Sequence, residues 1–304
     1  MPAVIHLLTG PTASGKSALA MAWARTHGAE ILSCDALQIY RGMDIGTAKP
    51  GADEQALARH HGLDLRNPAR AFSVAEYRDY AAEVVRDIHA RGKPVLVVGG
   101  SGFYLKCFFA PVADDVEISP AIKAEVAELE KSDGLDALIS RLRAASPSGT
   151  GAVELRNPRR VARALERCLA SGLGVPELAE RFAHQGTPFD AYVKKLVRLD
   201  REIDDLKARI RERTHKMLRE GLIEEVKLLA PALRANPAAC SAIGYREVLD
   251  WLDGGEKTSR TELEEAITLR TVQLVKKQRT WFRTQLPGHQ VVELKGSEIP
   301  GLEF

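Results

Sequence analysis

Near the N-terminus, Gly10, Pro11, Thr12, Ala13, Ser14, Gly15, Lys16 and Ser17 have the types and spacing of a phosphate cradle, G-x-x-x-x-G-K-S/T. Glycines let the backbone turn so that successive N–H groups point inward, and a following helix offers its positive N-terminal end. Lys16 supplies a cation to the terminal phosphate, and the Ser17 hydroxyl can join the shell of a bound Mg²⁺. Hydrolysis of ATP or GTP would also need an apolar strand ending in a Mg²⁺-positioning aspartate. The apolar run at 94–98 leads instead into Gly99, Gly100 and Ser101. The remaining carboxylate is Asp35, after a short apolar run, where it could act as a base or cap a helix. The loop holds phosphates, but the ordinary hydrolytic machinery is not evident.

Such a loop needs a buried strand before it and a helix after it. Residues 3–9 form an apolar run ending in Gly-Pro, and 16–27 have helical periodicity with Leu19 and Trp23 on one side. Residues 29–33 and 94–98 read as further strands. Between them, Val74, Tyr77, Ala81, Val84, Val85 and Ile88 mark an amphipathic helix over 73–91. Strands alternating with helices imply a parallel sheet covered on both faces, with ligands off the C-terminal strand edges. From about Pro111 the texture changes: 118–145 is charged and helical, 146–151 is a small-residue linker, 158–170 is helical and 172–187 is loop-rich. A strand at 192–199, helices at 201–219, 222–233, 244–252 and 260–284, and a last strand at 289–294 complete the pattern. The expected fold is α/β, a P-loop NTPase-like parallel sheet flanked by helices. Residues 1–111 and 190–304 form its core, and 112–189 a mainly helical insertion.

The chain has 304 residues, 45% of them hydrophobic and 28% charged, so it can bury a sizeable core. With a net charge of only +2, a nucleic-acid partner must be met by local basic patches. Two such patches exist: 156–167 carries five arginines, and 276–283 carries four cations around Trp281 and Phe282. Cys34, Cys107, Cys168 and Cys240 follow no C-x-x-C spacing, which suits free thiols in a reducing cytosol. No apolar run approaches the roughly 20 residues that span a bilayer, and no signal-peptide pattern opens the chain. A cytoplasmic protein without a membrane partner is expected.

Six separated motifs, spanning about residues 4–283 in order, carry a resemblance: the loop at 10–17, the polar segment 35–50, VGGSGFY at 98–104, N-P-x-R-x-x-R-A-L-E at 157–166, AIGYRE at 242–247 and KKQRTWFR at 276–283. Together they resemble the bacterial tRNA dimethylallyltransferases, also called tRNA isopentenyltransferases. The resemblance implies transfer of a dimethylallyl group from dimethylallyl diphosphate to N6 of the adenine at tRNA position 37, 3′ of the anticodon. Under it the loop holds a diphosphate leaving group with Mg²⁺, and Ser17, Asp35 and Arg213 match catalytic positions. Asp35, Ala36, Leu37 and Gln38 match the segment that touches the target base, and Ser101 and Lys123 match further RNA contacts. Arg159, Arg160, Val161, Ala162 and Arg163 match a tRNA-contacting stretch. Cys240, Ser241, Ala242, Ile243, Gly244 and Tyr245 add contact candidates. So do Lys276, Lys277, Gln278, Arg279, Thr280, Trp281, Phe282 and Arg283. The partners implied are the anticodon stem-loop and dimethylallyl diphosphate, met by a monomer.

The chain departs from the family pattern at Ala36, where serine is expected, and at Ser101, where threonine is commoner. Val272 and Leu274 stand where arginine and tyrosine are common, which removes a polar contact of the last helix. The same loop could serve a small-molecule kinase or a cytokinin-type adenylate isopentenyltransferase. The helical insertion and basic stretches favour a macromolecular acceptor over both, and intact Lys16, Ser17 and Asp35 disfavour a non-catalytic RNA-binding regulator.

Overall fold

A computed structural model of the protein describes residues 3–112, 116–255, 257–296 and 301–304. The chain divides into two compact units, one of Met1–Ala110 with Thr187–Phe304 and one of Pro111–Gly186.

The first unit is built on strands β1 (Val4–Thr9), β2 (Glu30–Ser33), β3 (His60–His61), β4 (Val95–Val98), β5 (Val193–Arg201) and β6 (Gln290–Leu294). They form one six-stranded sheet in the order β3-β2-β4-β1-β5-β6, and every pairing is parallel. Ile5, Leu7 and Leu8 of β1, Ile31 and Leu32 of β2, and Val95, Leu96 and Val97 of β4 are buried. Burial on both faces is why these strands read as apolar runs and do not alternate. Leu8 lies level with Val98 and Val197, and Ser33 also with Val98. That register ends β1, β2 and β4 together, so the loops at Gly10, Asp35 and Gly99 leave one edge of the sheet.

Helices α1 (Lys16–His27), α2 (Ala52–Leu57), α3 (Val74–Ala90) and α4 (Gly102–Lys106) connect these strands. Ser73 caps α3 by accepting the Glu76 N–H, and the buried face is the expected Tyr77, Ala81, Val84, Val85 and Ile88. Short α2, β3 and α4 go beyond the sequence expectation, since two to six residues carry too little periodicity to register. At the start of β2, the buried carboxylate of Glu30 pairs with the Arg91 guanidinium, with His61 at 2.7 Å and with Lys93 at 3.3 Å. Chiefly the Arg91 hydrogen bonds hold that carboxyl down at about 2.

The second unit contains α5 (Pro120–Ala145), α6 (Pro158–Ser171) and α7 (Val175–Ala183). Gly134, with φ of +75°, breaks α5, so the single helix expected there is two segments. Val126, Leu138 and Leu142 of α5 pack with Val161, Ala164, Leu165 and Cys168 of α6, and Leu178 of α7 joins them. Helix α7 lies inside the stretch expected to be loop: Pro176 falls in its first turn, and burial of Leu178 anchors it.

The chain returns to the first unit at Thr187 and, after β5, continues through α8 (Ile203–Glu220), α9 (Leu222–Ala235), α10 (Pro237–Cys240), α11 (Tyr245–Asp253) and α12 (Arg260–Gln285). The four cysteines are free thiols. Among the described residues no helix is long and apolar enough to cross a membrane.

Candidate active site

The loop after β1 turns immediately at Gly10, where φ is +152° and a Cβ would fall 2.5 Å from the Leu199 carbonyl oxygen. Only glycine fits so close to β5. Ser14 N–H donates to the Pro11 carbonyl at 3.2 Å, and α1 starts at Lys16, with Ser17 exposed in its first turn. The Lys16 ammonium donates back to the carbonyls of Gly10 at 2.8 Å and Pro11 at 2.7 Å. Loss of hydration pushes its pKa down to about 7, the Arg213 charge adds to the shift, and Asp35 opposes it. Lys16, Arg213 and Asp35 thus sit close enough to feel one another.

Asp35 leaves β2 into a loop and caps no helix. Its Oδ1 accepts the Leu37 N–H at 2.9 Å, the local turn that Asp forms with the residue two further on. Ala36 N–H donates to the Ser101 hydroxyl at 2.9 Å, which ties this loop to the one after β4. Gln38 accepts from the Ser33 hydroxyl at 2.9 Å and donates to the carbonyls of Thr47 at 3.4 Å and Ala48 at 3.3 Å.

The rest of the segment is equally well tied. The Lys49 side chain is only 3% exposed, and its ammonium meets Asp44 at 2.6 Å, Asp64 at 2.7 Å and the Tyr40 carbonyl at 2.8 Å. The Glu225 carboxylate, from α9, accepts three consecutive N–H groups: Asp44 at 3.1 Å, Ile45 at 2.7 Å and Gly46 at 3.2 Å. The polar segment 35–50 is therefore an internally bonded platform and not a solvated loop.

A cavity of about 540 Å³ opens beside this platform. Thr12, Asp35, Thr47, Ser101, Arg213 and Gln278 are among the polar residues of its lining. Ile210, Met217, Ile243, Ile267, Leu274 and Phe282 make an apolar wall, with Trp281 beside Gly102. A Cβ on Gly102 would lie 2.7 Å from the Trp281 ring, so a side chain there would displace the indole. Arg213 reaches the Thr47 carbonyl at 3.5 Å. Burial lowers its pKa, and Asp35 works against that shift. Leu274, at a position of departure from the family pattern, faces this apolar wall, whereas Val272 packs on Leu206, Ile210 and Val275.

The fold gathers Thr12 of the loop, Asp35, Leu37, Ser101, Arg213, Ser241 to Gly244, Lys277, Gln278 and Trp281 around one cavity of the first unit. Other candidates point elsewhere. Tyr245 is fully buried and Arg279 turns inward to Asp200 at 2.9 Å, whereas Phe282, also buried, lines the cavity. Cys240 is half-buried, while Lys276, Thr280 and Arg283 are exposed. In the second unit Lys123, Arg159, Arg160 and Arg163 are exposed, Ala162 is half-buried and Val161 is core. Sequence reasoning missed Glu225, Lys49 and Arg201. Glu225 looked like any acid in the first turn of a helix, and no spacing linked it to residues 44–46.

A loop shaped for phosphates, opening onto an apolar hollow with one carboxylate, suits transfer of an apolar group, and the class so defined is a P-loop transferase. The chain belongs to the IPP transferase family, whose model matches residues 38–285. It is 52% identical over 290 residues to the tRNA dimethylallyltransferase of Opitutus terrae, covering 95% of this chain and 92% of that protein. The tRNA dimethylallyltransferase of Geobacter sulfurreducens is 38% identical over 278 residues, 91% of this chain and 88% of that one. Among solved structures, the tRNA isopentenylpyrophosphate transferase of Bacillus halodurans matches with a TM-score of 0.66 at 31% identity, covering 96% of this chain and 90% of that chain. A eukaryotic dimethylallyltransferase acting on tRNA shares the fold, with a TM-score of 0.81 at 22% identity over 96% of this chain and 74% of that chain.

Proposed function

We propose that this protein transfers a dimethylallyl group from dimethylallyl diphosphate to N6 of the adenine at tRNA position 37, releasing diphosphate. The observation that carries this reading is the placement of Asp35 in the wall of the apolar cavity, beside Arg213 and near the phosphate loop. An adenine N6 amine is a weak nucleophile because its lone pair is delocalised into the ring. The Asp35 carboxylate accepts its hydrogen bond, orients it and takes up the proton as the C–N bond forms. The allylic C–O bond breaks with carbocation character, so the departing diphosphate must be neutralised where it sits. Lys16, Arg213 and the loop amides perform that task. Ile210, Met217, Ile267 and Leu274 keep water from the allyl group.

Among the described residues no cluster of three His, Cys, Asp or Glu is placed to cage a metal. That suits Mg²⁺, which binds through substrate phosphates and few protein groups. Ser17, exposed at the start of α1, is the hydroxyl that would hold it, and the ion would supply charge neutralisation of the diphosphate.

A target base reaches this site only when swung out of its loop. We assign Leu37, Ser101 and Trp281 to that base and its neighbours, and the exposed Arg159, Arg160 and Arg163 of the helical unit to RNA phosphates. The enzyme acts as a cytoplasmic monomer. The test is incubation of the protein, Mg²⁺ and labelled dimethylallyl diphosphate with a tRNA bearing adenine 3′ of its anticodon. Label in the tRNA supports the reading. Label in free AMP and not in tRNA would replace it with the cytokinin-type reaction, and ATP consumption with a small acceptor would indicate a kinase.

A further inference from the structure

We infer that Gln278, assisted by Arg279, is a positioning residue for the phosphate-binding loop: it sets how tightly the loop takes the diphosphate. The inference rests on the transferase reading above, and changes the role that the resemblance gives these two residues.

Both ends of the Gln278 amide are committed inside the protein. Its Oε1 accepts the Thr12 N–H at 2.9 Å, and its Nε2 donates to the Gly100 carbonyl at 3.2 Å. The loop after β1, the loop after β4 and helix α12 therefore meet at one side chain. Packing is tight enough that a Cβ on Gly100 would lie 2.9 Å from Gln278 Nε2 and 3.2 Å from the Gly10 carbonyl oxygen. These two bonds fix the orientation of the amide in the cavity wall.

Arg279 works on the other limb of the same loop. Its Nε donates to Asp200 Oδ1 at 2.9 Å and its Nη2 to the Arg201 carbonyl at 2.7 Å. Arg201, only 4% exposed, passes the restraint on: its Nε donates to the Ser14 carbonyl at 2.9 Å. Successive residues of a helix point about 100° apart, so Gln278 reaches Thr12 directly while Arg279 reaches Ser14 through Arg201. The exposed cations Lys276, Lys277 and Arg283 lie on the same helix and remain free of these ties.

A phosphate cradle binds well when its amides are aimed before the anion arrives, because ordering them on binding costs affinity. Gln278 fixes the first turn of the loop at Thr12, and the Arg279–Arg201 link fixes the far side at Ser14. Cutting either link leaves the loop to be ordered by the ligand.

The test uses the full chain with Gln278→Met, which keeps the side-chain length and removes both hydrogen bonds, and Arg279→Met, which cuts the second link. Lys276→Ala is the comparison for an RNA-facing cation. Three quantities are measured: the KM for dimethylallyl diphosphate with saturating tRNA, the Kd of inorganic diphosphate, and the Kd of tRNA. For Gln278→Met we expect KM and diphosphate Kd to rise about 5- to 10-fold, the loss of a hydrogen-bond pair of ordinary strength. The tRNA Kd stays within about twofold, and Arg279→Met gives the same pattern. An unchanged diphosphate Kd with weakened tRNA binding would overturn the inference and return Gln278 to the RNA surface. Equal loss of both affinities with a lowered Tm would also overturn it, since a general folding defect moves everything together. Wild-type label transfer to tRNA is the control: its failure removes the transferase reading, while the diphosphate Kd values still decide the role of Gln278.

Discussion

Tyr245 places its hydroxyl 2.5 Å from the carboxylate of Glu225, the same carboxylate that receives the N–H groups of Asp44, Ile45 and Gly46. Burial drives the tyrosine pKa well up, and the adjacent carboxylate adds to the shift, so the hydroxyl remains a donor. Gly46 lies flat against the same ring, where a Cβ would fall 2.5 Å from it. Helices α9 and α11 thus clamp the backbone that carries Thr47, whose carbonyl receives both Arg213 and Gln38.

Removing the acceptor at the centre of that clamp orphans several donors at once. Glu225→Ala is expected to lower unfolding free energy by roughly 2–4 kcal/mol, and Tyr245→Phe by about 1 kcal/mol. Urea denaturation followed by far-ultraviolet circular dichroism measures both. Equal midpoints for Glu225→Ala and wild type would mean that Lys49 and the other ties of the segment hold the loop without Glu225.

Asp35 is predicted to matter for transfer and little for RNA affinity. Asp35→Ala should reduce single-turnover transfer by about 10²–10⁴-fold, the usual worth of a placed proton acceptor. The tRNA Kd should change by less than about threefold. Asp35→Asn retains an oxygen for the Leu37 N–H, so a comparable loss in that variant separates proton uptake from loop geometry. Unimpaired transfer by Asp35→Ala would remove this carboxylate from the mechanism.

Acid stability should follow Glu30. Its folded-state pKa of about 2 lies below the ordinary carboxylate value of about 4.3. Stabilisation is therefore full above about pH 4.3 and is lost as the pH falls through that value towards 2, amounting to up to about 3 kcal/mol. Glu30→Gln should be less stable than wild type at pH 6, with the gap closing below pH 4. A gap independent of pH would mean that packing, and not the charge paired with Arg91, is what the residue contributes.

The exposed arginines of the helical unit should reveal themselves through salt. Arg159→Ala and Arg160→Ala are each expected to weaken tRNA binding and to reduce the slope of log affinity against log salt by roughly 0.7–0.9. KM for dimethylallyl diphosphate at saturating tRNA should not change. Filter binding across a salt series reads the slope, and an unaltered slope would assign these side chains to a solvated helix face.

Much of this architecture was legible before any coordinates. Runs such as 94–98 are apolar because both faces of a parallel strand are buried, and 73–91 is a helix because Tyr77, Ala81, Val84, Val85 and Ile88 all face the core. These are local consequences of burial, written at fixed periods. The break at Gly134 and the helix Val175–Ala183 were not legible. A lone glycine does not announce its φ, and one buried leucine is too weak a pattern.

The sequence by itself marked out the loop at 10–17 as a candidate phosphate cradle, because its glycines, lysine and serine are neighbours along the chain and the strand and helix beside them carry their own periodicity. It also singled out Asp35, at the head of the polar segment 35–50, and Arg213, by resemblance to a family position, without relating one to the other in space. Only the tertiary structure decided that Asp35 and Arg213 border one apolar cavity. It alone joined Glu225 to residues 44–46, and turned Gln278 and Arg279 from a basic surface helix onto the loop. These pairs stand 78 to 266 positions apart in the chain. Hydrogen bonds of that range depend on register and helix packing, which no local spacing encodes.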